Sequence, residues 1–170
     1  MKSPSKTQAP SAEPVGGDFE LDDFLPYRLS VAASEVQRMF ARRFADAFGL
    51  SLPEWRVLAI LGRVGSASPS AIGEMAAMDK VKVSRAAASL VARGMLRQTQ
   101  DPQDGRARVL RMTRKGATAY HGVVPLAREM ETQIAAGLSR AEWATLHKAL
   151  NRLHMHVASL HGHDGDVTDD

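Results

Sequence analysis

The sequence predicts a mainly α chain with one small β-hairpin, and three observations lead there. Apolar residues step by three or four through residues 25–48 and again through 143–160, which is the helical period. Capping signals stand in front of the shorter apolar runs, at Ser51, Ser68 and Asp79. Between residues 95 and 112 the pattern changes: two strand-length segments, 95–100 and 106–112, flank the turn-forming DPQDG.

Composition narrows the function classes. The chain has 170 residues, enough for one domain with a sizeable core plus extensions. It has no cysteine, which excludes disulfides, thiolate zinc sites and thiol redox sensing. No apolar run approaches the roughly 18–20 residues that cross a bilayer, and the N-terminus lacks the apolar core of a secretory signal. The expectation is a cytoplasmic protein without a membrane partner. Net charge is only +3, but ten lysines and arginines lie between residues 80 and 115, opposed there by Asp101 and Asp104 alone. Clustering of this kind is the electrostatic footprint of a DNA-binding module.

Taken in order, residues 1–18 are rich in Ser, Pro, Gly and Lys without apolar periodicity, and are read as a disordered tail. Residues 21–48 read as one long helix with Pro26 near its start and a stripe of Leu25, Leu29, Ala33, Val36, Phe40, Phe44 and Phe48. Ser51 and Glu54 form a capping box for a second helix, closed by Gly62 and Gly65. Ser68 caps a short third helix with Pro69 at its first position. The stretch 79–94 is a fourth, with Asp79 as N-cap, Gly94 after its end, and Val83, Leu90 and Val91 on one stripe. Two short helices so joined, the second basic at its start, make a helix-turn-helix.

The hairpin that follows is a wing, with Arg106 and Arg108 at its tip and Asp104 placed to hold Arg106 by a bidentate pair. Arginines there suit a narrow minor groove. A solvated surface helix and an ordinary polar hairpin would carry similar charges singly; their succession favours DNA. Residues 113–138 read as helical, with Tyr120, Val124, Met130, Ile134 and Leu138 inward, and Pro125 kinking the helix or delaying it. Ser139 and Glu142 form a second capping box. Behind it Trp143, Leu146, Leu150, Leu153, Val157 and Leu160 make a narrow seam suited to a partner helix. His154, His156, His161 and His163 cluster near the end, but no carboxylate or cysteine completes a metal site, so neither metal nor cofactor is expected.

The order of elements resembles the MarR family of winged helix-turn-helix regulators. The resemblance is carried by MDKVKVSRAAASLVARGML and by DPQDGRARVLRMTRKG, whose Asp104, Arg106, Leu110, Thr113 and Gly116 follow the family's wing pattern. LPYRLS and GLSLPEWRVLAIL resemble the first two helices, so the likeness spans roughly residues 20–160. Gly105 departs from it, where many members carry a second arginine.

The resemblance implies a winged helix-turn-helix with long N- and C-terminal dimerisation helices, partitioned as a tail (1–18), an N-terminal helix (19–50), a DNA-binding domain (51–116), C-terminal dimerisation helices (117–161) and an acidic tail (162–170). It implies a homodimer on a pseudo-palindromic double-stranded operator. Base-edge roles go to Lys82, Ser84 and Arg85, phosphate contacts to Ser68, Ser70 and Lys80, and the minor groove to Arg106, oriented by Asp104 and flanked by Arg108. An effector pocket would draw on Tyr27, Arg28, Ser30, Ser34, Trp55 and Arg56. That mixture suits a small aromatic carboxylate or an aromatic acyl-CoA, with an arginine pairing the acid. The alternative is a constitutive or architectural DNA-binding protein without effector. No catalytic triad, phosphate-binding Gly loop or metal-ligand motif supports an enzyme.

Overall fold

In a computed structural model, which describes residues 19–100 and 108–163, the chain divides within its first long helix into two compact units, residues 1–38 and 39–170. The described part of the first unit holds a 3-10 turn, Leu21–Asp23, and most of α1 (Leu25–Phe48). The expected single helix over 21–48 therefore starts later. Phe24 is extended, and α1 begins one residue before Pro26, which places the proline in the first turn, where its missing N–H breaks no helical hydrogen bond. Phe19, Leu21, Phe24, Leu25, Val31 and Val36 of this unit are exposed. The Phe19 and Phe24 rings lie 5.3 Å apart.

The second unit carries the end of α1 and then α2 (Leu52–Val64), β1 (Ser66–Ala67), α3 (Pro69–Ala76), α4 (Lys80–Ala92), β2 (Leu96–Gln100), β3 (Arg108–Met112), α5 (Arg114–Ala135) and α6 (Arg140–His163). Its core is built by α2 packing on α3, α4 and α5, through Phe44, Leu58, Leu61, Ile72, Val83, Leu90, Val123 and Met130. The sheet is antiparallel in the order β1-β3-β2, with Ala67 opposite Leu110 and Leu96 opposite Met112. The two-residue β1 closes it, a strand too short for any periodicity to announce.

Several local expectations are corrected. Gly62 does not end α2, which runs on to Val64 with Gly65 at φ 78° as its cap. Instead Gly62 admits the Tyr120 ring: an added Cβ would lie 2.7 Å from Tyr120 Cζ. The first strand begins at Leu96 rather than at 95, and the second is described from Arg108, residues 106 and 107 of the expected segment lying outside the described residues. On α4 Val91 is exposed, not part of the stripe of Val83 and Leu90; eight residues from Val83 it has turned about 80° away. Regular helix in α5 is not delayed to Pro125: Thr113 accepts from Gly116 N, α5 starts at Arg114 and runs through the proline to Ala135, short of residue 138. Val123 rather than Val124 is its fully buried valine.

Candidate nucleic-acid interface

Ser68 follows β1 in an extended conformation and its Oγ accepts from Ala71 N at 3.2 Å, opening α3. Ala77 then takes the left-handed conformation (φ 48°, ψ 52°), and Met78 N donates to Gly73 O at 2.9 Å. That costs an alanine about 1–2 kcal/mol, and buried Met78 anchors the turn. Gly73 lets the two helices approach, since an added Cβ would stand 3.0 Å from Met78 O.

Asp79 opens α4: Oδ1 accepts from Lys82 N at 2.8 Å, and Oδ2 pairs with Lys82 Nζ at 2.9 Å. These contacts, first the backbone bond from Lys82, hold the Asp79 carboxyl below its ordinary range. Val83, Ala86, Ala87 and Leu90 face the core, so the opposite face carries Val81, Arg85 and Ala88, all exposed. Lys80, Lys82 and Ser84 flank that face, also exposed. Ser70, Lys80 and Ser84 border a cavity of about 730 Å³ between α3, α4 and the sheet, with Pro69, Ala87 and Leu110 among its apolar walls.

The far end of α4 is tied down. Gly94 (φ 68°) follows the last turn, with Gly94 N donating to Val91 O and Met95 N to Leu90 O, the two bonds that close a left-handed helix stop. Lys115 Nζ reaches Arg93 O at 2.8 Å and Thr113 Oγ1 reaches Gly94 O at 2.7 Å. Arg93 Nη1 donates to Gly49 O at 3.0 Å and to Glu54 Oε1 at 3.4 Å. Glu54 is the chain's buried acid among the described residues. Its Oε1 also accepts from Ser89 Oγ at 2.6 Å, and its Oε2 from Ser51 N at 2.7 Å and Ser51 Oγ at 2.8 Å. Burial pushes its carboxyl up, but the bonds from Ser89 and Ser51 and the charge of Arg93 outweigh that, and the net shift is downward.

Sequence reasoning placed the cap and the cations of α4 but missed two things here. Val81 lies four residues before Arg85 and so shares its face, a signal the helical period supplies. The Glu54–Ser89–Arg93 cluster has no local signal, because its members are 35 and 39 residues apart in the chain. In the wing, Arg97 and Arg108 are exposed and Gln100 stands opposite Arg108. Asp104 and Arg106 lie outside the described residues.

The residues expected to hold an effector fall in different units. Tyr27, Arg28, Ser30 and Ser34 belong to the first and are exposed, Ser34 Oγ donating to Ser30 O at 2.8 Å. Trp55 and Arg56 belong to the second and are half-buried. Trp55 stacks on Tyr120 (5.8 Å, 16°) and tilts against Phe44 (5.5 Å, 57°). Among the described residues no three His, Asp or Glu side chains gather as a metal site. No helix among them is long and apolar enough to cross a membrane.

Residues 48–107, from the end of α1 to the wing, match the profile of the MarR family. Over 159 residues the chain is 26% identical to the HTH-type transcriptional repressor IacR of Pseudomonas putida, covering 93% of this chain and 94% of that protein. The crystal structure of a probable transcriptional regulator from Pseudomonas aeruginosa is 30% identical, with a TM-score of 0.67 over 79% of this chain and 99% of that one. BpsR of Bordetella bronchiseptica, whose structure concerns regulation of DNA binding by 6-hydroxynicotinic acid, shares the fold at 23% identity, with a TM-score of 0.75 over 81% of this chain and 98% of its own. The capped, outward-facing basic helix and its wing thus have their explanation: the chain belongs to the MarR family of winged helix-turn-helix, DNA-binding transcriptional regulators.

Proposed function

We propose that the chain is a homodimeric repressor that leaves a pseudo-palindromic operator when a small aromatic carboxylate, or its CoA thioester, binds. The observation that carries the dimer is α6. Leu146, Leu150, Leu153, Val157 and Leu160 recur at steps of four and three along it and are all exposed, 37–54% each. Such a seam is stable in water when a second helix covers it. A two-fold dimer then sets two copies of α4 in successive major grooves, about 34 Å apart. Lys82, Ser84 and Arg85 meet base edges there, while Ser68, Ser70 and Lys80 meet phosphates. Arg106, held by Asp104 and flanked by Arg108, enters the minor groove.

The effector class is supported by relatives. BpsR is regulated by an aromatic acid and IacR is a repressor, and this chain offers Arg28 and Arg56 as carboxylate partners beside Tyr27 and Trp55. Release is then a population shift whose size equals the effector's differential affinity for the two dimer states. Trp55, already stacked on Tyr120 and tilted against Phe44, favours a second reading in which it is a packing residue and DNA binding is constitutive. Thermal shift and gel shift with 6-hydroxynicotinic acid, hydroxybenzoates, hydroxycinnamates and their CoA thioesters separate the two. A compound that raises the melting temperature and lowers DNA affinity supports release. If no compound does both, the constitutive reading stands.

A further inference from the structure

We infer that Val81 reads the methyl group of a thymine in the major groove, beside the base read by Arg85. This rests on the DNA-binding reading above and names part of its sequence preference. Val81 is the second residue of α4 and is 56% exposed. At 100° per residue Arg85 stands about 40° round from it and Ala88 about 20° to the other side. Those three form the outermost strip of the helix, diametrically opposite Val83 and Leu90.

The chemistry of the strip is restricted. Asp79, at its head, has both carboxylate oxygens engaged with Lys82, so it does not compete for bases. Ala88 is small and lets the helix approach closely. Arg85 supplies the donors for a guanine edge. What remains is a branched apolar group at the helix's N-terminal turn, the part of a recognition helix that meets base edges. Across the four base pairs the major groove offers one apolar group, the thymine C5-methyl.

A protein partner does not explain Val81 equally well. Apolar residues on α6 recur along a seam, whereas Val81 is flanked by Lys80 and Lys82, both exposed cations suited to DNA rather than to an apolar protein surface. Side chains four apart on a helix lie about 5–6 Å from each other, and base pairs rise about 3.4 Å. The thymine is therefore one or two base pairs from the guanine that Arg85 takes.

The test uses the full chain. Its preferred duplex is selected from a randomised pool, and each thymine is then exchanged for deoxyuridine, symmetrically in both half-sites, which removes only the methyl. One position, within two base pairs of the guanine whose exchange Arg85→Ala no longer feels, is expected to weaken binding about fourfold per half-site, the transfer effect of one buried methyl. In Val81→Ser the same exchange is expected to have no effect, with the melting temperature unchanged because the residue is exposed. If every deoxyuridine duplex binds the wild type within twofold, or if the loss persists in Val81→Ser, the assignment to Val81 is overturned while DNA binding stands. If no duplex is enriched at all, the DNA-binding reading and this one fall together.

Discussion

Removing the Glu54 carboxylate loosens the tie between α4 and the junction of α1 and α2, and the structure sets the size of the effect. Four contacts end on its two oxygens: Ser51 N, Ser51 Oγ, Ser89 Oγ and, at a longer 3.4 Å, Arg93. Hydrogen bonds to a charged group contribute about 1.5–3 kcal/mol each in net terms. The Arg93 contact is discounted, because that side chain is 32% exposed and keeps Gly49 O as a partner. Ser89 is half-buried and loses its acceptor outright, while Ser51 N loses the reciprocal half of the capping box. Glu54→Ala is therefore expected to lower unfolding stability by about 3 kcal/mol, and Glu54→Gln, which keeps one oxygen, by about half of that. Urea unfolding at one fixed protein concentration measures both, since dimerisation makes stability concentration-dependent. The pH dependence has a definite sign. A carboxyl held below its ordinary 4.5 in the fold contributes stability that is present above that value and is lost as pH falls through the folded-state pKa. Wild type and Glu54→Gln should accordingly converge as the pH falls from 4.5 through the lowered folded-state pKa. A Glu54→Ala variant within about 0.5 kcal/mol of wild type at pH 7, or a gap that persists into acid, refutes the account.

Arg85→Ala should weaken binding to the selected duplex by about 1–3 kcal/mol and relax preference at one base pair per half-site, read by competition gel shift. Gly116→Ala should destabilise by about 3 kcal/mol or prevent folding, because its Cβ would collide with the Met95 carbonyl and both sides of that contact are backbone; thermal unfolding of the purified protein shows it. Leu150→Ser with Leu153→Ser should convert dimer to monomer in sedimentation equilibrium while leaving the core of the second unit intact, since neither side chain contributes to it.

The features legible in the sequence are those whose causes are local. Ser51 with Glu54, Ser68, Asp79 and Thr113 each satisfy a backbone N–H within three residues, so their helices announce their own starts. Gly65 and Gly94 occupy positive φ where the chain must leave a helix. What escaped depends on residues far along the chain. Gly62 looks like a helix stop until Tyr120 is seen to lie over it, and Glu54 looks like a surface cap until Ser89 and Arg93 close over it. β1 escaped because two residues have no period. The boundary at Leu25 has a local signal, since a start at Leu21 puts Pro26 in the second turn at the cost of a helical hydrogen bond, whereas Pro125 shows that packing can offset that cost elsewhere in the chain.

Exposed apolar side chains have opposite meanings in two parts of this chain, and what decides is the company they keep. On α6 they recur every three or four residues over Leu146–Leu160, so a continuous strip about 20 Å long faces water in the single chain. Only another extended apolar surface can cover such a strip, and a second α6 has the same length and spacing. Val81 stands alone between two lysines at the start of α4, where a protein surface would have to desolvate Lys80 and Lys82 to reach it. A DNA groove offsets that cost, since its phosphates and base edges take the cations and its floor presents isolated methyl groups. The α4 helix is pinned at its far end by Glu54, Arg93, Thr113 and Lys115 and presents exposed Lys80, Val81 and Lys82 at its near end. In the proposed dimer the α6 seam would set the distance between two such helices, and Val81 and Arg85 would set what each one finds when that distance fits.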